Sequence, residues 1–328
     1  MTERRSEPEP PPGPKLKRKR RASTATSSFG SGKREGHDAA DFYKRFEPPV
    51  LLADETINAC AVVDELIVGD ARNMHQVDDN SVALVVTSPP YFAGKDYELE
   101  LGSGGIPATY VDYLMMLRDV FLECWRVMEP GGRIAVNVAN LGRKPYRSLA
   151  ADVTRILQDD VGFLLRGEVV WIKGKGASGS CAWGSFMKAS SPALRDVTER
   201  IVIAGKGRLQ RALDPKQRAA RGLPHESTIA KQDFIDWTLD TWEMRTESAK
   251  RIGHPAPFPI ELPRRLIDLY TYRGDVVLDP FMGAGTTAVA AVNADRRYVG
   301  YDLDPAYLAI AESRLRTLAD QPVQQTLD

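Results

Sequence analysis

The chain has 328 residues, 43% of them hydrophobic, enough to bury a substantial core as one large domain or two small ones. Basic and acidic residues number 44 each, so overall charge carries no nucleic-acid signal and any such function must rest on local clusters. Cys60, Cys124 and Cys181 show no CxxC spacing, which fits a reducing cytoplasm and argues against a structural zinc; no apolar run approaches the about 20 residues of a membrane span, and the N-terminus lacks the apolar core of a secretory signal.

Residues 1–45 are rich in Pro, Ser, Gly and charge with almost no apolar periodicity, the composition of a disordered tail. Within them the basic run from Lys15 to Arg21 suits a solvated tail better than a phosphate-binding arm or an import-like signal. Order is predicted from near Phe46. Glu65, Leu66, Ile67 and Val68 read as a first strand leading into Gly69 and Asp70. An acid at a strand's carboxyl end can accept from the amino group of a bound adenine, and it can equally cap the helix that follows.

The apolar run Val82, Ala83, Leu84, Val85, Val86 reads as a buried strand that stops abruptly at Thr87, Ser88, Pro89, Pro90 and Tyr91. The two prolines fix their own φ and push the residue before each toward extended geometry. The Ser88 hydroxyl, the Pro89 carbonyl and the Tyr91 ring are therefore expected just beyond the strand's carboxyl end, where open α/β sheets bind ligands. Two acceptors beside an aromatic face suit a planar base with an exocyclic amino group. A plain Pro-rich turn with Tyr91 as packing is the competing reading, and only the rest of the chain separates the two.

Residues 95–109 are polar and carry Gly102, Gly104 and Gly105, as in a mobile loop over a site or a surface connection. A helix is predicted over 110–128 from Tyr113, Leu114, Leu117, Val120, Phe121 and Trp125, stopped by Glu129, Pro130, Gly131 and Gly132. Strands are predicted over 133–138, 168–172 and 198–204, with a helix over 148–157, so the alternation is α/β throughout. Residues 174–191 form a Gly/Ser/Ala loop bearing Trp183, Phe186 and Lys188, which suits a connector or a contact to an extruded base. Residues 206–221 carry Lys206, Arg208, Arg211, Lys216, Arg218 and Arg221 against Asp214 alone, making them the candidate phosphate contact, with a solvated helix face as the plainer alternative.

Asp275 to Asp279 is a buried strand followed by Pro280, Phe281, Met282, Gly283, Ala284, Gly285, Thr286 and Thr287, then an alanine- and valine-rich helix. A second strand, 297–301, ends in Asp302, placed to hold ribose hydroxyls. Gly283, Gly285 and Ala288 with Asp302 downstream also satisfy a dinucleotide fingerprint, so a nicotinamide-dependent oxidoreductase is one alternative, and a non-catalytic DNA-binding protein is another. Too little chain follows Thr287 for a six-stranded dinucleotide domain. The N-terminal strands must then complete the sheet, which makes both halves one permuted domain.

With these motifs in view, the chain from about Leu66 to Leu315 resembles the S-adenosylmethionine-dependent amino-methyltransferases of DNA, permuted beta group, in which Ser-Pro-Pro-Tyr precedes Asp-Pro-Phe-x-Gly-x-Gly-Thr-Thr. The stretch from His254 and Pro255 through Ile267 is similar to the family segment at the methionine end of the cofactor. The resemblance implies a Rossmann-like α/β fold with a circularly permuted mixed sheet and helices on both faces. It implies a catalytic half at 46–204, a target-recognition insert at 205–252 and a cofactor-binding half at 253–328. Asp279, Phe281, Gly283, Gly285 and Thr286 would surround the cofactor's amino acid and sulfonium, with Asp302 on the ribose, Asp70 on the adenine, and Ser88, Pro89, Pro90 and Tyr91 on the target base. Serine at the first catalytic position resembles the cytosine-N4 enzymes, whereas adenine-N6 members more often carry Asp or Asn. Cytosine-C5 chemistry needs a thiolate, typically after proline, and the residues before the cysteines are Ala59, Glu123 and Ser180. The implied cofactor is S-adenosylmethionine without a metal, and the implied partners are double-stranded DNA and, in a restriction system, a cognate nuclease. Monomer and homodimer both stay open, and the expected location is cytoplasmic, on the nucleoid when DNA is bound.

Overall fold

Alternating apolar side chains along the strands feed two cores, one on each face of a single eight-stranded sheet. The computed structural model describes residues 50–91, 109–140, 146–173, 184–194, 196–247 and 258–320. The basic tail, nearly all of the loop at 95–109, Trp183, His254 and Pro255 lie outside the described residues.

The elements are β1 (Glu65–Val68), β2 (Val82–Thr87), α1 (Tyr110–Val127), β3 (Met128–Val138), α2 (Leu149–Arg155), β4 (Leu164–Ile172), β5 (Thr198–Gly205), α3 (Pro215–Ala220), α4 (Lys231–Trp237), β6 (Thr241–Glu243), α5 (Glu261–Tyr270), β7 (Val276–Asp279), α6 (Thr286–Asn293), β8 (Arg297–Asp302) and α7 (Pro305–Ala319). Helix α1 forms where the sequence predicts it. Thr109 and Asp112 close a capping box at its start, and Tyr113, Leu117, Val120, Phe121, Cys124 and Val127 recur on one buried face. After α2 the chain takes one wide turn, Ile156–Val161, ended by Gly162 in the left-handed region.

The strand order is β1-β8-β7-β2-β3-β5-β4-β6. All neighbours run parallel except β5, which is antiparallel to both β3 and β4. The β7–β2 pairing, with Leu84 opposite Val277 and Val85 opposite Leu278, joins the C-terminal strands to the N-terminal ones. The permuted mixed sheet is therefore as expected. Val85 packs into the core under α1, while Leu84 and Val86 face the core under α5 and α6, so β2 is buried on both faces.

Three findings differ from expectation. Glu129, Pro130, Gly131 and Gly132 do not separate helix from strand; they lie inside β3 as a bulge, because the pairing with β2 jumps from Met128 opposite Val82 to Arg133 opposite Leu84. Gly131 makes this turn at φ 81°, where a Cβ would lie 2.0 Å from the Gln210 carbonyl. Secondly, the stretch expected as an insert returns to the sheet through β6, whose Trp242 is buried. Thirdly, the same stretch is anchored by buried ion pairs described below. Among the described residues no helix is long and apolar enough to cross a membrane.

Candidate functional site

Because β1, β8, β7 and β2 are consecutive in the sheet and mutually parallel, their carboxyl ends form one edge. That edge carries, in order, Asp70, Asp302, the loop from Pro280 to Gly285, and the turn from Ser88 to Tyr91. Three strand spacings of about 4.8 Å separate the first from the last, roughly 14 Å, about the reach of a nucleoside joined to an amino acid.

At the β1 end, the Asp70 carboxylate is held by the Arg72 guanidinium, which keeps it below the usual carboxylate range, and the Gly69 amide donates to the Asp302 carbonyl at 2.9 Å. Asp302 accepts from the Gly283 amide at 2.7 Å and from the Asp304 amide at 2.9 Å. Burial nonetheless raises its pKa. The loop thus hangs from β8 through this side chain and through the Met282 amide, which donates to the Tyr301 carbonyl at 2.8 Å. Gly285 enters α6 at φ 78°, and a Cβ there would lie 2.6 Å from Ala311 Cβ on α7. Gly285→Ala should therefore disturb the packing of α6 on α7 and weaken ligand binding at the loop by about tenfold or more, readable by calorimetry with S-adenosylmethionine. The Thr286 hydroxyl accepts from Arg314 at 3.1 Å, and Phe281 is partly buried against the core under α1.

Asp279 departs from the part expected of it. It is 1% exposed, and its carboxylate accepts from Thr87 Oγ1 at 2.7 Å, from Thr287 Oγ1 at 2.7 Å and from the Phe281 amide at 3.1 Å. It joins the two halves of the permuted sheet, because β7 and β2 end side by side there. Burial pushes its pKa up to about 6.

Tyr91 also departs from expectation. Its ring is packed in the core under α1 at 7% exposed, because its hydroxyl finds a buried carboxylate, donating to Glu199 Oε2 at 3.0 Å. Ser88 Oγ lies 2.9 Å from the Tyr91 hydroxyl, and the Pro90 carbonyl accepts from the Tyr113 hydroxyl at 2.6 Å. Sequence reading missed Glu199, Asn137 and Lys173, which close around this hydroxyl. The available signal was Glu199 itself, an acid on the same strand face as the buried Ile201 and Ile203.

The expected phosphate contacts at 206–221 are corrected by the structure. Since β5 runs antiparallel, its C-terminal end delivers this stretch to the amino edge of the sheet, opposite the site. Lys206 is 6% exposed and donates to Asn80 Oδ1 at 2.6 Å and the Met128 carbonyl at 2.7 Å, and burial pushes its pKa down to about 8. Arg208 donates to the Ala53 and Asp54 carbonyls. Arg211 pairs with Glu129 and, at 3.1 Å, with Asp275; Arg218 pairs with Glu129 at 3.1 Å and with Asp275 at 2.9 Å. Only Lys216 and Arg221 of the six are exposed. Within the basic run, Arg211 and Arg218 form an internal clamp between the β3 bulge and the start of β7.

Comparison with known proteins gives a consistent setting. Residues 82–313 match the family model described as DNA methylase, for N6 and N4 methyltransferases. The Type II methyltransferase M.MjaI of Methanocaldococcus jannaschii is 31% identical over 281 residues, covering 76% of this chain and 90% of that one. A Thermus thermophilus protein crystallised with S-adenosyl-L-methionine aligns with a TM-score of 0.57 at 30% identity, covering 78% of this chain and 96% of that one. The cytosine-N4-specific PvuII DNA methyltransferase shares the fold, with a TM-score of 0.56 at 19% identity over 83% of this chain and 92% of its own.

Proposed function

Because this chain belongs to the DNA methylase family of N6 and N4 methyltransferases, we propose that it methylates the exocyclic N4 of a cytosine flipped out of double-stranded DNA. It is an S-adenosylmethionine-dependent DNA methyltransferase. The observation that supports methyl transfer at this edge is the row of groups along it: Asp70, Asp302, the glycine loop, then Ser88. The residues fit the cofactor. Two acids at adjacent strand ends suit an adenine amino group and ribose hydroxyls, and a loop without a Cβ at Gly283 and Gly285 leads into the N-terminus of α6, next to Ser88. When bound there, S-adenosylmethionine supplies an electrophilic methyl.

The protein's own contribution is to bind, orient and accept. Asp302 fixes the loop that would receive the amino-acid end. Ser88 Oγ, at the end of a strand buried on both faces, offers an acceptor to an N–H of the target amine, which keeps electron density on the attacking nitrogen. Serine rather than an acid or amide at this position supports cytosine. The DNA would approach from the carboxyl edge, where the 184–194 segment presents the exposed Phe186 and Lys188.

The direct test is to incubate the protein with S-adenosylmethionine and unmethylated genomic DNA, digest to nucleosides and identify the product by mass spectrometry. N4-methylcytosine is expected. N6-methyladenine would overturn the base assignment and leave the family standing. Asp302→Ala removes the acceptor of the Gly283 and Asp304 amides and should weaken S-adenosylmethionine binding tenfold to hundredfold by calorimetry, about 1.5–3 kcal/mol for hydrogen bonds to a charged group. An unchanged Kd would remove Asp302 from the cofactor site.

A further inference from the structure

Beside Ser88 lies a buried polar cluster drawn from three strands, and its hydrogen-bond directions can be worked out. Tyr91 Oη donates to Glu199 Oε2 at 3.0 Å and lies 2.9 Å from Ser88 Oγ. Asn137 Nδ2, from the β3 side, donates to the same Glu199 oxygen and, at 3.3 Å, to Tyr91 Oη. Lys173, just past β4, places Nζ 2.5 Å from the other oxygen, Glu199 Oε1. The Glu199 side chain is 9% exposed and that of Lys173 22%.

An ionised carboxylate paired with a lysine can only accept. The single proton of the Tyr91 hydroxyl is therefore committed to Glu199. In the contact between Ser88 and Tyr91, Ser88 is then the donor. The serine's own proton points inward, and its lone pairs are left for whatever approaches from outside. Asn137 fits the same direction. Its Oδ1 is buried and without a hydrogen-bond partner among the described residues, and turning the amide to satisfy it would aim that oxygen at the Glu199 carboxylate.

We propose that Glu199 is a positioning residue that fixes the chain Ser88 to Tyr91 to Glu199 in one direction, so that Ser88 meets the exocyclic amine of the target base as an acceptor. The inference rests on the methyltransferase reading above. Without an obligate acceptor behind it, the Tyr91 hydroxyl can donate to Ser88 instead. The serine proton is then turned outward against the N–H of the amine. In this assignment Tyr91 supports the serine from within the core.

The test is a cycle of Glu199→Gln, Tyr91→Phe and the double variant, each assayed for kcat, KM, the Kd of S-adenosylmethionine and the thermal midpoint. Glu199→Gln keeps the shape but lets the side chain donate as well as accept. Its kcat should fall about tenfold or more, with KM and cofactor Kd within about twofold of wild type. Tyr91→Phe cuts the chain at its middle and should lower kcat comparably. Adding Glu199→Gln to Tyr91→Phe should then cost nothing further, and Glu199→Asp, which keeps an obligate acceptor, should recover part of the rate. Should Glu199→Gln melt near the assay temperature, Tyr91→Phe alone decides, and wild-type kcat in that variant overturns the proposal. Additive losses with a lowered midpoint in both backgrounds, or a Glu199→Gln rate equal to wild type, likewise overturn it alone. No methylated nucleoside from the wild-type enzyme would overturn the methyltransferase reading and this inference with it.

Discussion

Arg218→Met should lower the unfolding free energy by about 3–5 kcal/mol in urea titration and leave the salt dependence of DNA binding as it is in the wild type. Arg218 is 1% exposed, and its partners Glu129 and Asp275 are nearly as deeply buried. Removing it leaves two buried carboxylates with Arg211 as their remaining cation, and also takes away the donor to the Pro224 carbonyl. Uncompensated buried charge is what makes the loss large, since an intact buried quartet contributes little net stability by itself. Both guanidinium groups stand 5.1 Å from the Tyr272 ring centre, so the ring is expected to lose part of its packing as well. A drop of about one in the slope of log affinity against log salt, with stability unchanged, would return Arg218 to the phosphate-contacting role that its sequence neighbourhood suggests.

The second large effect concerns acid and the Asp279 junction. Burial raises this carboxyl from the usual 3.8 to about 6, against three hydrogen bonds that pull it down. The folded state therefore holds the proton more tightly than the unfolded chain does. The stability contributed by the protonated form is full below about pH 4 and is lost as pH rises through about 6. The gap between the two values corresponds to about 3 kcal/mol. Asp279→Asn cannot titrate, so the unfolding free energy of wild type minus that of the variant should fall by up to this amount between pH 4 and pH 7. Taking the difference cancels the other carboxylates. A flat difference across that range would mean that water reaches the carboxylate and that the junction with Thr87 and Thr287 is looser than its hydrogen bonds indicate.

Much of the sheet was legible because its strands are buried on both faces. Val82 to Val86, Val276 to Leu278 and the run from Ile201 to Ala204 are apolar whichever side they point to, so they stand out without any need for alternation. The permutation was legible from motif order alone, and the β7–β2 pairing follows from it. Other features were not legible, for identifiable reasons. The bulge at Glu129 to Gly132 looks like a helix stop because Pro and Gly punctuate both. Strand β6 has three residues, too few for a period. The arginines at 211 and 218 read as a surface patch because their acidic partners stand 57 to 89 residues away in sequence. Asp279 and Tyr91 were recognised as important, but which way each side chain faces depends on Thr87, Glu199 and Asn137, which only the strand order brings near. The cluster behind Ser88 is assembled from β3, β5 and the residue after β4, and no spacing in the chain announces it.

The hydrogen bond between Thr87 and Asp279 spans 192 positions of sequence. During synthesis the ribosome delivers β1 and β2 early, yet their partners β8 and β7 emerge last. Until then β2 can pair only with β3, and the face that will hold the ligand has no floor. Such long-range closure is slow, and it leaves apolar strand edges open while it waits. A chain that has not yet released β7 and β8 therefore lacks both the glycine loop and the strands that flank it.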